Sequence, residues 1–406
     1  MRIALLTTYL ALGENTDSGI GQHYRILAEA LSAQQHEVTV FYLCEPAAAE
    51  AAHRELVSMN KPWACVLVKA PLPALLTRLL RSSWPARQLC SHLWLAHAAC
   101  RSVLAAHDDR PFAIIETHSY NLPAFFLLLT RKRPLVLTRV STTLSQMLAI
   151  SPMQSRVLAW EAALERWATR HSDALVTHTA HHRDTVCSEE NHSREQFHLV
   201  PHGLPDPGEP SPSREPDDVV EFLYVGRFET RKGIDVLLAA IPIVAAACPH
   251  AVFTLAGAQG DETLWRDFSK QHPELAAGRM RALGRVPSDK LVELYQRCSV
   301  VVAPSRYESF GLIYVEGMSH GKPVIGCNAG GIPNVVTANV TGLLAAPGDI
   351  ASLVACMLRL GNDGHLRRRM GEAGRRDFLD RFSATAMARQ SAGLYQRLRE
   401  AASRQV

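Results

Sequence analysis

The chain has 406 residues, of which 47% are hydrophobic and 20% charged, and its formal net charge is +4. This length is ample for two cores, and the composition excludes disordered and fibrous proteins. The small net charge and the lack of a Lys/Arg run argue against a nucleic-acid-binding protein. Nine cysteines without a Cys-x-x-Cys pair indicate reduced thiols, and no apolar run reaches the roughly 18 residues of a membrane-spanning helix. We therefore expect a cytoplasmic protein.

In the first half of the chain, β-rich runs alternate with helical patterns, which is typical of a parallel sheet. Helices are predicted over Gly19 to Ala33 and Val157 to Arg170. The predicted strands are Arg2 to Thr8, Glu37 to Leu43, Ala64 to Val68, Ala113 to Glu116, Leu135 to Arg139, Ala174 to Thr177 and Phe197 to Val200. These elements predict an N-terminal Rossmann-like domain over residues 1–205.

The second half repeats the alternation after a proline-rich stretch. Five prolines between Pro205 and Pro216 predict a stiff connector at 206–216. The predicted strands beyond it are Val219 to Val225, Ala251 to Ala256, Met280 to Leu283, Val300 to Ala303, Pro323 to Gly326 and Gly342 to Leu344. They predict a second Rossmann-like domain over residues 217–383, followed by a C-terminal helix within 384–406.

Two glutamates bracket a turn that leads into a helix in the segment from Glu308 to Glu316. The strand Val300 to Ala303 precedes this turn, so Glu308 is expected at the carboxyl end of that strand, where open α/β sheets bind ligands. A helix beginning near Gly311 would direct its first amides and the positive end of its dipole at the same place. Glu316, more than one turn into the helix, could bond a neighbouring diol. An anion and a hydroxylated ring are thus expected together.

Two cations follow an earlier strand of the second half. The apolar run ends at Gly226, and a helical pattern begins just after Gly233. Arg227 and Lys232 are therefore expected on or beside one βα loop, where two fixed cations can neutralise a diphosphate.

The spacing of these cations, together with the glutamate pair and Gly330-Gly331-Ile332-Pro333, resembles the retaining glycosyltransferases of family 4. The resemblance covers nearly the whole chain and is strongest from Phe222 to Asp349. It implies the GT-B fold: an α/β protein with two Rossmann-like parallel-sheet domains facing a deep interdomain cleft. It also implies that the N-terminal domain binds the acceptor, that the C-terminal domain binds a nucleotide-sugar donor, and that the last helix returns to the first domain.

The resemblance also assigns roles within the donor site. Glu308 would bind sugar hydroxyls, Glu316 the ribose hydroxyls, and the backbone of Arg285 and Val286 the base. The diphosphate would meet Arg227, Lys232 and the amides around the start of the helix, which are those of Ser309, Phe310, Gly311 and Leu312. Transfer of a hexosyl unit with retention, most simply from a UDP-sugar such as UDP-GlcNAc or UDP-glucose, would then need no metal.

Several residues of the first half are weaker site candidates. Gly19 and Gly21 either form a tight turn or let the backbone approach the diphosphate or acceptor. An NAD fingerprint is excluded, because Tyr24 occupies the third glycine position. By resemblance, His118 contacts the donor sugar as a catalytic residue, although a histidine bonded to backbone is the alternative. Arg139 and Thr142 could contact the acceptor.

Two remaining motifs bear on metal binding and on membrane contact. His178, His181 and His182 are spaced as neighbours on a helix, but no acidic or Cys partner matches them, so helix capping by Thr177 or Thr179 is favoured and no metal or other cofactor is expected. The segment 72–100 combines leucines and tryptophans with arginines. It predicts either an ordinary packed helical pair or a peripheral membrane contact.

Two functions remain open from the sequence. The first is a hexosyltransferase acting on a small-molecule, glycan or lipid-linked acceptor. The second is a nucleotide-sugar-binding protein without transfer activity, which would keep the donor motif. A two-carboxylate hydrolase built on Glu308 and Glu316 gives no role to Arg227 and Lys232. The sequence does not identify the acceptor or the oligomeric state.

Overall fold

A computed structural model describes residues 1–12, 19–45, 47–150, 155–210, 219–258 and 262–404. By its internal contacts the chain divides into two compact units. The first unit contains Met1–His178, Arg183–Gly203 and Ala384–Val406, and the second contains Thr179–His182 and Leu204–Ser383. The first unit is thus discontinuous in sequence. Of the proline-rich connector, residues 211–216 lie outside the described residues.

The first unit is built on a seven-stranded sheet in the order β3-β2-β1-β4-β5-β6-β7, in which all neighbouring strands are parallel. Its strands are β1 Arg2–Thr7, β2 Glu37–Cys44, β3 Ala64–Lys69, β4 Ile114–His118, β5 Val136–Arg139, β6 Ala174–Thr177 and β7 Phe197–Leu199. Its helices are α1 Gly19–Ala33, α2 Ala49–Ser58, α3 Ala74–Leu79, α4 Trp84–Asp109, α5 Phe125–Leu128, α6 Leu144–Ile150, α7 Arg156–His171, α8 Ala180–Glu190 and, from the C-terminus, α17 Ala384–Ser403.

Alternation along β1 divides the core of this unit between the two faces of the sheet. Ile3 and Leu5 pack in one cluster with residues of α1 and α17, whereas Ala4 and Leu6 pack in another with residues of α4. Successive strand side chains point to opposite faces, and both faces of a parallel sheet are covered by helices. This explains why β1 has the unbroken apolar sequence Ile-Ala-Leu-Leu.

The second unit is built on a six-stranded parallel sheet in the order β10-β9-β8-β11-β12-β13. Its strands are β8 Val220–Val225, β9 Ala251–Ala256, β10 Met280–Gly284, β11 Val300–Val302, β12 Val324–Cys327 and β13 Gly342–Ala345. Its helices are α9 Ile234–Ala247, α10 Glu262–Gln271, α11 Pro273–Gly278, α12 Ser288–Arg297, α13 Leu312–Ser319, α14 Ile332–Val335, α15 Ile350–Asn362 and α16 Gly364–Asp377. Asp349 and Asp363 cap α15 and α16 by accepting from Ser352 N and Leu366 N.

The predicted strands are confirmed to within one or two residues at each end. One boundary changes the interpretation of a candidate residue. His118 was expected after its strand, but it pairs with Arg139 of β5 and is the last residue of β4. The ladder continues because Ser119 N donates to Arg139 O at 3.1 Å.

Among the residues that the structure describes, no helix is both long and apolar enough to cross a bilayer.

Candidate functional site

Glu308 lies in the loop between β11 and α13, at the carboxyl end of a central strand of the second unit. The carboxylate is nearly buried, with the residue 8% exposed. Its Oε1 accepts from Lys232 Nζ at 2.6 Å and from Ser305 Oγ at 2.9 Å. Burying a carboxylate is costly unless it is paired and hydrogen-bonded, and here both conditions are met. The structure therefore brings together Lys232 and Glu308, as the sequence predicts.

Gly311 makes the turn from this loop into α13. It has a φ of 93°, and a Cβ there would lie 2.6 Å from the Tyr314 ring, so the turn requires glycine. The helix begins at the next residue, Leu312. The first amides of a helix have no acceptor within it. The amides from Phe310 to Leu312 thus lie beside the loop that carries Glu308, as predicted.

The cation loop follows β8 and contains Arg227, Arg231 and Lys232, the last two in a short 3-10 turn, Thr230–Lys232. Arg231 Nη1 lies 3.7 Å from Glu308 Oε2. The side chain of Arg227 is 65% exposed and that of Lys232 is 23% exposed. This loop therefore presents positive charge to solvent beside a buried carboxylate.

Two contacts hold the cation loop against the Glu308 loop. Gly233 has a φ of 71°, and a Cβ there would meet Pro304 O at 1.9 Å, so the backbones approach closely. Arg306 donates to both carboxylate oxygens of Asp235 at 2.7 Å, and its backbone N donates to Arg231 O at 2.9 Å. Sequence analysis missed Arg231, Arg306 and Asp235. Only the adjacent basic pair Arg231-Lys232 offered a signal for any of them.

A glycine pair supports the Glu308 loop from another side. Gly331 N donates to Glu308 O at 2.7 Å. A Cβ on Gly330 would meet Glu308 O at 2.4 Å, and one on Gly331 would meet Ser309 O at 2.1 Å. The Gly330-Gly331 motif is thus explained by close backbone contact.

Glu316 lies in the second turn of α13 and is oriented by a residue that the sequence did not reveal. The Tyr295 hydroxyl donates to Glu316 Oε2, and the Tyr295 ring stacks on His320 with the ring centroids 5.4 Å apart. Burial raises the pKa of Glu316, although the Tyr295 hydrogen bond and the Lys232 charge oppose this shift. One carboxylate oxygen is thereby fixed in direction.

Arg285 and Val286 come directly after β10, where Gly284 has a φ of 65°. β10 is an edge strand, separated from β8 by β9 alone. The two residues therefore lie at the same edge of the sheet as the cation loop, because carboxyl ends of parallel strands share an edge. Their predicted role in binding the base stays a prediction.

In the first unit, Gly19 begins α1 and Gly21 lies in its first turn; the preceding residue of the motif, Ser18, is outside the described residues. A Cβ on Gly21 would lie 3.0 Å from Ala11 N, so the loop after β1 passes close to the helix at this point. Nothing lies within 4 Å of a Cβ on Gly19. Gly21 thus has a packing reason of its own, and the ligand role of both residues stays a prediction.

His118 is buried and accepts at Nε2 from Thr8 N at 3.1 Å. Burial lowers its pKa to about 3, so the ring is neutral at ordinary pH. A histidine bonded to backbone was the alternative interpretation, and the structure provides that contact, although from within a strand. Its predicted contact with a donor sugar is not tested by this geometry.

Arg139 is a buried ion-pair partner, which argues against its predicted contact with an acceptor. Its Nε donates to Glu116 Oε1 at 2.8 Å, and its Nη1 donates to Val200 O at 3.1 Å. The Tyr395 hydroxyl donates to the other Glu116 oxygen. The Arg139 charge holds the pKa of Glu116 down at about 2 despite its burial. Thr142, in contrast, is exposed after β5, and its predicted role stays open.

The histidines at 178, 181 and 182 surround the start of α8. Thr179 Oγ1 accepts from His182 N at 3.1 Å, which is the capping contact that the sequence favours. Across the described part of the chain, no group of three or more His, Cys, Asp or Glu side chains is placed to hold a metal ion.

Known proteins similar to this chain share both its sequence pattern and its fold. The family model "Glycosyltransferase Family 4" matches residues 18–206, and "Glycosyl transferases group 1" matches residues 208–377. The chain is 27% identical over 387 residues to glycogen synthase of Mycobacterium tuberculosis. This match covers 93% of this chain and 90% of that protein.

Two solved structures show the fold. Sucrose-phosphate synthase from Thermosynechococcus elongatus superposes with a TM-score of 0.70 at 22% identity, covering 98% of this chain and 99% of that one. HepE from Anabaena, in complex with UDP-glucose, has a TM-score of 0.65 at 19% identity, covering 98% and 99%. With two Rossmann-like parallel sheets and both family models matched in chain order, this chain belongs to glycosyltransferase family 4, the group 1 glycosyl transferases of GT-B fold.

Proposed function

We propose that this glycosyltransferase moves a hexosyl unit from a UDP-sugar, such as UDP-glucose or UDP-GlcNAc, to an acceptor hydroxyl with retention of configuration and without a metal. The observation that carries the proposal is the cation loop held against Glu308. Lys232 Nζ lies 2.6 Å from Glu308 Oε1 and Arg231 Nη1 lies 3.7 Å from Glu308 Oε2, while Arg227 and Arg231 both pair with Glu229 of the same loop. The choice of uridine is supported by the fold neighbour HepE, which was solved with UDP-glucose.

Charge complementarity explains how this site would assist departure of the diphosphate. The bond from the anomeric carbon to phosphate breaks with an oxocarbenium-like transition state, and negative charge develops on the leaving group. Lys232 supplies positive charge there, together with Arg227 and Arg231, which share the carboxylate of Glu229, and the amides at the start of α13. Three cations and a helix terminus supply the positive field that a divalent metal provides in other transferases.

The two glutamates would bind hydroxyls at separate places. Glu308, whose Oε1 already accepts from Lys232 and Ser305, can accept from the hydroxyls of the sugar. Glu316 has one oxygen engaged by Tyr295, and the other can accept from the ribose hydroxyls. Bonds to a charged acceptor are the stronger class, so each should contribute measurably to donor affinity.

Retention would follow if the acceptor attacks on the face that the diphosphate leaves. In that arrangement the new bond forms between the anomeric carbon and the acceptor oxygen, and the acceptor proton passes to an oxygen of the departing diphosphate. The cations stabilise the diphosphate throughout. This scheme needs no protein base, and His118, whose pKa burial lowers to about 3, would be a weak one.

Calorimetry with UDP tests the donor site. Lys232→Ala and Glu316→Ala each remove a charged hydrogen-bonding group, so each should weaken UDP binding by about 1.5–3 kcal/mol, roughly 10- to 150-fold. Lys290→Ala is the matched control, because Lys290 forms an exposed ion pair with Glu293 on α12. Unchanged UDP affinity in both site variants would refute the assignment.

Turnover separates transfer from binding alone. Transfer from UDP-glucose or UDP-GlcNAc to an acceptor should proceed in EDTA. Loss of activity in EDTA with recovery in Mn²⁺ would contradict the metal-free scheme. Tight UDP binding without any transfer product, across a panel of acceptors, would favour the nucleotide-sugar-binding alternative.

The first unit carries a surface suited to an anionic membrane, and we propose a peripheral membrane contact there. Leu75, Leu79 and Trp84 each expose more than half of their surface. Between Leu56 and His107 the sequence has six Lys or Arg residues and no Asp or Glu. Exposed apolar side chains among cations favour binding at the interface of a bilayer with anionic lipids. The packed helical pair predicted as the alternative accounts for Leu95, Ala99 and Cys100, which α4 buries in the core, but not for these three exposed side chains.

Vesicle sedimentation tests this contact. The protein should sediment with phosphatidylglycerol vesicles and not with phosphatidylcholine vesicles, and the double variant Leu75→Ser, Leu79→Ser should stay in solution. Trp160→Ser is the control, since Trp160 is an exposed aromatic residue on α7, outside this segment. Equal sedimentation of the double variant and the wild type would refute the proposal.

A further inference from the structure

Two tyrosines meet at the carboxyl edge of the sheet of the first unit. Tyr9 comes two residues after β1, and Tyr120 comes two residues after β4. These strands are parallel neighbours, so their carboxyl ends share an edge. The ring centroids lie 6.2 Å apart with an interplanar angle of 28°. Both residues are only partly buried, so the pair is not enclosed in the core.

The backbone holds these rings in place. Tyr9 N donates to Thr7 Oγ1 at 3.1 Å, and the same hydroxyl donates to Tyr9 O at 2.7 Å. After Tyr120, Asn121 and Leu122 both have positive φ, at 62° and 56°. A left-handed conformation is unfavourable for leucine, and burial of Leu122 offsets it. The turn thus fixes the direction of Asn121.

Asn121 adds hydrogen-bonding groups beside the rings. Its Nδ2 donates to the Tyr9 hydroxyl at 3.2 Å. An asparagine amide has two N–H donors and a carbonyl acceptor, and this contact uses one donor. The Tyr9 ring also lies 6.2 Å from the His118 ring, which is at the end of the same strand β4. Aromatic faces, an amide and phenolic hydroxyls are therefore gathered at one sheet edge.

This combination has the chemistry of a carbohydrate site. A pyranose or cyclitol ring presents C–H groups on its faces and hydroxyls around its rim. The C–H face can pack on the electron-rich face of an aromatic ring, while an amide and phenols bond the hydroxyls. A purely structural tyrosine pair would need neither partial exposure nor an asparagine that fixes one phenol.

We propose that Tyr9, Tyr120 and Asn121 form an acceptor subsite that binds a polyhydroxylated six-membered ring, either a pyranoside or a cyclitol. The ring packs on the tyrosine pair, and Asn121 bonds its hydroxyls. This proposal rests on the proposed function, since it names the chemical class of acceptor for the transferase.

Saturation-transfer NMR with the full chain tests the subsite without turnover. The probes are methyl pyranosides of glucose, galactose, mannose and N-acetylglucosamine, myo-inositol, and acyclic sorbitol as the reference. Signal on the ring C–H protons of a pyranoside indicates a sugar acceptor, and signal on myo-inositol alone indicates a cyclitol acceptor. No signal above that of sorbitol for any cyclic probe overturns the proposal.

Three variants distinguish ring stacking from a structural role. Tyr120→Leu removes the aromatic face and should raise the Kd of the bound probe roughly 2- to 10-fold, whereas Tyr120→Phe should stay within about twofold of wild type. Asn121→Gly accepts the same positive φ and removes the amide, so it should weaken the probe without lowering the melting temperature. Equal probe affinity in wild type, Tyr120→Leu and Asn121→Gly overturns the proposal.

The donor site provides the separating measurement. Glu308→Ala should leave the probe signal intact, because Glu308 belongs to the second unit. If that variant abolishes the probe signal, the probe occupies the donor sugar site and the subsite is refuted. If the probe binds to wild type while UDP does not, the subsite stands and the proposed donor is refuted.

Discussion

Each unit has a buried glutamate with a cation beside it, Glu116 within the central strand β4 and Glu308 in the loop after the central strand β11, but the two pairs differ in what surrounds them. Glu116 and Arg139 of the first unit have side chains 1% and 4% exposed. Their remaining hydrogen bonds go to Tyr395 and to a backbone carbonyl. Glu308 of the second unit has a side chain 11% exposed, but the side chains of its cations Lys232 and Arg231 are 23% and 44% exposed. Burial of the carboxylate is thus shared by both, and the exposure of the cation separates a structural pair from a site for a ligand.

The two arrangements should contribute to different properties. A buried pair with all its partners inside the fold stabilises the native state only while both charges are present, because either one alone would be buried without compensation. A pair whose cations reach solvent has less to lose when one member is removed, and its charge remains available to an anion. The first pair should govern stability, and the second should govern affinity for the donor.

The largest effect that we predict is on the stability contributed by the buried pair of Glu116 and Arg139. Arg139→Met should lower the free energy of unfolding by about 3–5 kcal/mol, because it leaves Glu116 buried without its cation. Denaturant titration measures this change. Arg110→Met, which breaks an exposed pair with Glu37, should cost no more than about 1 kcal/mol.

The pair of Lys232 and Glu308 supplies the comparison in the same titration. Lys232→Met should cost clearly less than Arg139→Met, because Ser305 and Arg231 still contact Glu308. A loss of stability as large as that of Arg139→Met would show that the Lys232 pair is also structural, and the distinction between the two pairs would fail.

Much of this could be predicted from the sequence, for identifiable reasons. Apolar runs and their spacing determine the strands, and the carboxyl ends of parallel strands share an edge, so the meeting of Lys232 with Glu308 follows from topology. The state of Arg139 does not follow in the same way. It depends on Tyr395, which is 279 residues away from Glu116 and arrives on the last helix.

Contacts made by side-chain conformation were also beyond the sequence. Arg306 with Asp235 and Tyr295 with Glu316 join residues 71 and 21 positions apart, through loop shape and χ angles that no periodic pattern encodes. The Tyr9 and Tyr120 pair was missed because its two members follow different strands and belong to no motif. Spacing therefore predicts which edge a residue occupies, and the structure is needed to know its partners.

A smaller effect should appear as a dependence of stability on pH, through the buried His118 of the first unit. Burial lowers the pKa of His118 to about 3, below the 6.5 of an exposed histidine. The unfolded chain therefore takes up a proton as pH falls below about 6.5, while the folded chain does so only near 3. Stability contributed by neutral His118 is complete above 6.5 and is lost as pH falls towards 3. Between pH 6.5 and 5 this loss approaches about 2 kcal/mol.

His118→Gln tests this contribution, because the glutamine oxygen can still accept from Thr8 N and the side chain does not titrate. Its free energy of unfolding should fall less steeply than that of wild type between pH 6.5 and 5. His53→Gln, on the exposed side of α2, should follow the wild-type curve. If His118→Gln and wild type run parallel over this range, His118 is protonated or accessible in the folded protein. The surroundings of His118 would then be as open to solvent as the cation loop.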